Sequence, residues 1–297
     1  MCRLFGFRSV IQSAVHRSLV EADNALAVQS QEHRDGWGVA WYMADTPHLI
    51  KGQSPAVEDA IFSRVSGIVA SETVLAHLRL ATAGEVNVLN THPFQFGRWV
   101  FAHNGKVTNF PNHRKALRAE IAPSMSRFVL GDTDSELLFY IFLSELGRRV
   151  DLHRRGTPLD DIAASLSHVV DVVRGIADTD GAEQSLMTFL VTDGRTMVAL
   201  RQGKPLLFST HKRSCPDRDE CPFLAASCEA PTEDGFVNHL IISSEKLQGN
   251  NTWVELQDGE LVGVDWRMVL HRGQLGGPMT RVRSKPAVAA EAGSAVD

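Results

Sequence analysis

A cysteine directly behind the initiator methionine, in the opening run Met1-Cys2-Arg3-Leu4, is where this sequence first offers chemistry. Removal of Met1 would leave Cys2 with a thiol and a free α-amine on one carbon, nucleophile and general base together. An α-amine has an ordinary pKa of about 7.7 to 8.0, so a useful fraction is neutral near working pH and can take the thiol proton. A thiol activated in this way attacks carbonyl carbon. Three other places carry groups of matching type. Arg79 offers a planar fork suited to a carboxylate, although an arginine at a strand end is also an ordinary surface residue. Asn104-Gly105 can aim a side-chain amide and an unobstructed backbone N–H at one oxygen, and can equally make a hairpin turn. Asp134 falls in the first turn of a predicted helix, where a carboxylate either serves a cationic ligand or merely caps the helix.

These residues need elements to position them. Apolar, aromatic-rich or β-branched runs at 36–42, 73–79 and 98–103 read as buried strands, the last stopped by Asn104-Gly105 as a dipeptide suited to positive φ. The glycine-flanked Trp37 strand is expected beside the N-terminal strand, its glycines permitting close backbone approach and Trp37 itself packing in the core. Further strands are expected at 185–190, 196–201, 204–209, 239–243 and 259–264, with hairpins around Thr192-Asp193-Gly194-Arg195 and Gln257-Asp258-Gly259. Helical spacing appears over 17–29, 56–65, 112–121, 135–148 and 159–176. Strands and helices come in blocks without strict alternation, which favours a layered α+β architecture. His77, alone in a predicted core strand, reads as a structural histidine.

The 297 residues, 43% hydrophobic and 22% charged, suffice for a substantial core. We expect a single domain over 1–275 and a flexible C-terminal segment over 276–297, small and aromatic-poor from Ser284 onward. A formal net charge of -5 gives no electrostatic reason to bind nucleic acid or an anionic membrane, and small-molecule chemistry fits better. No apolar run approaches the roughly 20 residues of a membrane span and no secretory segment leads the chain, so the cytoplasm is the expected location. Four cysteines do not describe a disulfide scaffold. Three of them, Cys215, Cys221 and Cys228, share a polar loop with His211, at gaps that do not match the paired spacing of common zinc sites. Unliganded thiols are favoured there over a metal or a disulfide, and the loop is a candidate border of a substrate entrance.

In chain order, Cys2, Arg79-Leu80-Ala81-Thr82, Asn90-Thr91-His92-Pro93, His103-Asn104-Gly105 and Gly131-Asp132-Thr133-Asp134-Ser135-Glu136 resemble the motifs of class II glutamine amidotransferases, the N-terminal-cysteine type. The likeness runs from Cys2 to about Val150. Asp35-Gly36-Trp37-Gly38 and Asn90-Thr91-His92-Pro93-Phe94 resemble most closely the stand-alone bacterial members, which are also similar to the amidohydrolase of ergothioneine synthesis. The resemblance implies a four-layer αββα sandwich of the N-terminal-nucleophile hydrolase type. It also implies an enzyme in which Cys2 attacks the γ-carbonyl of glutamine or of a γ-glutamyl amine or peptide. Ammonia or an amine leaves as a γ-glutamyl thioester forms, and water then releases glutamate. On that reading Asn104 and Gly105 hold the oxyanion, Arg79 the substrate α-carboxylate and Asp134 its α-ammonium. Thr82 and His92 line the pocket, and Thr133 or Asp132 is left to cap the helix. No metal or organic cofactor is implied. Larger relatives fuse this module to an ammonia-using synthase, for which this chain leaves no room. The enzyme readings are therefore a self-contained hydrolase of γ-glutamyl small molecules and a glutaminase subunit supplying a separate synthase. A domain that binds a γ-glutamyl ligand or a partner protein without turnover is the non-enzyme alternative.

Overall fold

The computed structural model describes residues 2–14, 19–20, 25–81, 84–179, 183–216, 218–219 and 221–283. The chain opens with strand β1 (Arg3–Ala14), a short helix α1 (Leu26–Gln29), and strands β2 (Trp37–Met43) and β3 (Thr46–Gly52). Helix α2 (Ala60–Ile68) leads into β4 (Ala70–Leu78), after which β5 (Phe94–Phe96) and β6 (Trp99–Lys106) follow. Helices α3 (Phe110–Ala119), α4 (Pro123–Ser126), α5 (Asp134–Arg149) and α6 (Leu159–Ala177) come in one block. Next are β7 (Leu186–Thr192), β8 (Met197–Leu200), β9 (Leu207–Ser209) and β10 (His239–Ser243). The last strands are β11 (Val254–Glu255), β12 (Glu260–Val264), β13 (Leu270–Gln274) and β14 (Thr280–Arg281).

Two seven-stranded antiparallel sheets result, ordered β11-β9-β10-β1-β4-β2-β3 and β14-β13-β12-β8-β7-β6-β5. Successive side chains on a strand point to opposite faces, so a strand apolar at every position must be covered on both sides. That is the situation of the central strands here. Leu4, Ala40, Leu75, Val100, Ala102 and Leu190 meet between the sheets. Their neighbours Phe5, Val39, Val74 and Ala76 face outward onto Phe62 and Val65 of α2. On the other sheet, Phe101 and Phe189 face outward onto α5 and α6, with Phe101 stacked on Phe139 at 5.2 Å between ring centroids. The outcome is the four-layer αββα sandwich. Helix α5 is buried nearly all round, with Leu137 through Leu143 in the core, and the amphipathic α6 lies beside it.

Several expectations need correction. The Trp37 strand does not lie beside the N-terminal strand: β4 stands between β1 and β2. Strand β6 is not stopped by Asn104-Gly105 but runs through both to Lys106, paired with β7, and Gly105 does not have positive φ. The turn at Gln257-Asp258-Gly259 makes no hairpin, because β11 joins one sheet and β12 the other. By contrast Thr192-Asp193-Gly194-Arg195 does turn β7 into β8. Residues 276–283 are not a loose tail, since β14 pairs with β13 and Met279 is buried in the core. The remainder of that segment, 284–297, lies outside the described residues, as do 17–18 and 21–24 of the helix expected over 17–29.

Candidate active site

Pairing of β1 with β4 sets Arg3 opposite Leu78, which brings Cys2 against the chain as it leaves β4. The Leu80 N–H donates to Cys2 Sγ at 3.3 Å. Burial pushes the Cys2 thiol above its ordinary pKa, opposed by the Leu80 hydrogen bond and the Arg79 charge, while the Asp134 charge adds to the rise. One thiol therefore feels both the proposed carboxylate clamp and the proposed ammonium acceptor. Arg79 is buried, and its guanidinium donates to the carbonyls of Glu85 at 3.1 Å and Gly84 at 3.4 Å, bending the following loop back over it. Thr82 falls in that loop but outside the described residues.

Asp134 is the first residue of α5, and the local sequence explains why the helix starts there. Thr133 accepts from the Glu136 N–H at 3.3 Å as the N-cap. Glu136 in turn reaches back to the N–H groups of Leu130 at 3.0 Å and Gly131 at 2.7 Å, a variant of the reciprocal capping box. With capping done by its neighbour, Asp134 is released for other partners. It accepts from the Val107 N–H at 2.7 Å and from the Ser135 N–H at 2.7 Å. Val107 is the residue after β6, so the buried carboxylate is fastened next to the strand that carries Asn104 and Gly105.

On β6, His103 lies behind this pair. Its Nε2 is 2.9 Å from the Leu186 carbonyl and its Nδ1 is 2.8 Å from Ser135 Oγ. A carbonyl can only accept, so Nε2 carries the proton, and the Ser135 hydroxyl beside Nδ1 also lies 3.2 Å from Asp134 Oδ1. Burial pushes the pKa of His103 down, against the pull of Asp134, in keeping with a neutral ring. At Gly105 any Cβ would overlap the Leu186 carbonyl oxygen, so the position requires glycine on packing grounds alone. Strands β1 and β4 both pack on β6, the strand that carries Asn104 and Gly105.

His92 is also buried there, its ring 4.2 Å from His77 and 4.7 Å from Phe94, with no hydrogen-bond partner for either ring nitrogen among the described residues. Burial pushes its pKa well below the usual histidine range. Two contributors went unassigned from sequence. Asn90, quoted only within a motif, donates to the Glu85 carbonyl at 3.0 Å and accepts from the Asp132 N–H at 2.8 Å, tying the loop after Arg79 to the turn before α5. Asp35 accepts from the Ala81 N–H at 2.7 Å. An asparagine bridging two loops needs both a donor and an acceptor, and that residue type is the only trace such a role leaves in a sequence.

A cavity of about 410 Å³ opens beside Asp134, lined by Gly84, Lys106, Phe110, Arg114 and Asp132. Its two cations are already paired, Lys106 with Glu183 at 2.9 Å and Arg114 with Asp132 at 2.8 Å. The cysteine-bearing loop lies elsewhere. It leaves β9 past Ser209, level with Ile241 and Phe7, and returns at His239, level with Ser9. Both ends of the loop thus lie at the end of β1 remote from Cys2. Cys215, Cys221 and Cys228 are free thiols. Among the described residues no cluster of metal-ligating side chains occurs, and no helix is long and apolar enough to cross a membrane.

The family model for class-II glutamine amidotransferases matches residues 1–289, and the chain belongs to that family. DUG3 of Saccharomyces cerevisiae, named a probable glutamine amidotransferase, is 30% identical over 226 residues, covering 68% of this chain and 63% of that protein. The chain thus spans just under two thirds of the yeast relative. A gamma-glutamyl-hercynylcysteine sulfoxide hydrolase of Mycobacterium tuberculosis is 35% identical over 117 residues, 36% of this chain and 50% of that protein. Among solved structures, a glutamine aminotransferase class-II domain protein from Silicibacter pomeroyi superposes with a TM-score of 0.63 at 22% identity, covering 92% of this chain and 98% of that one. The family is thus one of amidotransferases, and one relative is named a hydrolase.

Proposed function

We propose that the protein hydrolyses the γ-amide of glutamine or of a γ-glutamyl amine or peptide through a γ-glutamyl thioester on Cys2. The sulfur bonds to the γ-carbonyl carbon while its proton passes to the α-amine that removal of Met1 exposes. The tetrahedral oxyanion rests on the Asn104 side-chain amide and the Gly105 N–H. Its collapse breaks the C–N bond, and ammonia or an amine leaves with the proton. Water then attacks the thioester, releasing glutamate and returning the thiol. Arg79 takes the substrate α-carboxylate and Asp134 its α-ammonium, with Thr82 and His92 lining the pocket. Holding both ends of the amino-acid portion away from the reacting bond keeps the carbonyl in attack geometry.

The observation that carries this reading is the meeting of opposite charges at one thiol: Cys2 lies within the fields of both Arg79 and Asp134. A zwitterionic amino-acid end needs such a pair. The Mycobacterium tuberculosis hydrolase supports the γ-glutamyl class of substrate. The test is intact mass to establish loss of Met1, followed by a screen of glutamine and γ-glutamyl amines for released glutamate. Turnover that vanishes in Cys2→Ala supports the mechanism, and comparable activity in that variant refutes it. Release of ammonia from glutamine alone, with γ-glutamyl amines untouched, would favour a subunit that supplies a separate synthase.

A further inference from the structure

Beyond Leu78 the chain is held on alternate sides by hydrogen bonds for three more residues. On one side Arg79 N–H donates to the Gly36 carbonyl at 2.8 Å and Asp35 N–H donates to the Arg79 carbonyl at 3.1 Å. Ala81 N–H, next on the same side, donates to Asp35 Oδ2 at 2.7 Å. Leu80 N–H, between them in the alternation of an antiparallel ladder, points the other way and meets Cys2 Sγ. The Ala81 partner is a side chain because the backbone of the neighbouring strand turns away at Gly36, where φ is +122 and a Cβ would come 2.7 Å from the Gly52 carbonyl. The Asp35 carboxylate takes the place of the missing strand acceptor.

We propose that Asp35 is a positioning residue whose carboxylate continues the β4 ladder and thereby keeps the Leu80 N–H trained on the Cys2 sulfur. Its bearing on turnover rests on Cys2 being the nucleophile. A hydrogen bond to sulfur favours the charged thiolate, the form that attacks the amide and the form expelled when the thioester is hydrolysed.

The test pairs Asp35→Ala with Asp35→Asn, whose amide oxygen still accepts from Ala81 N–H. Iodoacetamide labelling of the Cys2 peptide is followed against pH by mass spectrometry, beside kcat and KM on the best γ-glutamyl substrate. Asp35→Ala should move the labelling midpoint up by about one pH unit, roughly tenfold less thiolate at a fixed lower pH, and lower kcat about tenfold. Asp35→Asn should stay within about threefold of the parent in both. If the alanine variant does not fold, Asp35→Ser, whose hydroxyl is too short to reach, takes its place. An unchanged midpoint without the acceptor, or a midpoint in Asp35→Asn displaced as far as in Asp35→Ala, overturns the proposal. Labelling needs no substrate, so activity surviving in Cys2→Ala would strike the functional reading while leaving the midpoint result to judge Asp35.

Discussion

Asn104 and Gly105 are adjacent on one strand yet answer to different demands, and substitution separates them. Asn104→Ala removes one proposed oxyanion donor and should lower kcat by about 10²- to 10³-fold with little change in KM, read by steady-state kinetics. Gly105→Ala drives a methyl group into the Leu186 carbonyl, so its first effect should be on folding, a loss of about 1–3 kcal/mol by urea denaturation. A kcat loss in Gly105→Ala at parental stability would mean that the packing argument is wrong. Arg79→Lys keeps the charge but loses the planar fork, and an unchanged KM would remove the carboxylate assignment. At this scale residue type told a good deal, because a thiol, a guanidinium and a carboxylate have few uses in common. What it could not tell was support: the acceptor roles of Asp35 and Asn90 depend on loops brought together from distant parts of the chain.

The start of α5 shows how an element delivers a functional group. Thr133 does the capping, which leaves the neighbouring carboxylate to β6 and, in the proposed site, to the substrate ammonium. Thr133→Ala should cost about 1 kcal/mol in thermal or urea unfolding. It should also raise KM, since Asp134 shifts with its helix end; a stability loss with unaltered KM would detach the cap from substrate binding. Elements with long apolar periodicity, such as α5 and α6, were legible in the sequence because their pattern repeats over several turns. Short signals failed where pairing overrode them. Asn104-Gly105 is a good turn former locally, but β7 supplies ladder partners all the way from Val100 to Lys106, and the strand continues. Asp258-Gly259 does turn, yet the flanking strands belong to different sheets, a matter of topology on which a dipeptide is silent.

For the molecule as a whole, its buried histidines set an acid limit. His33, His77 and His239 are buried, and loss of hydration holds their pKa values down to about 4, about 3 and about 4. The unfolded chain takes up these protons near pH 6.5 and the folded one does not until far lower, so stability is full above about 6.5 and falls on acidification. The urea midpoint should therefore drop clearly between pH 7.5 and pH 5, and equal midpoints would contradict neutral histidines in the interior. The join of β1 to β10 carries a different consequence. Leu4 N–H donates to Ser244 Oγ at 3.0 Å across 240 positions of sequence. During translation β1 is made well before β10, its partner in the sheet. A nascent chain thus holds one edge of β1 unpaired until β10 has followed it.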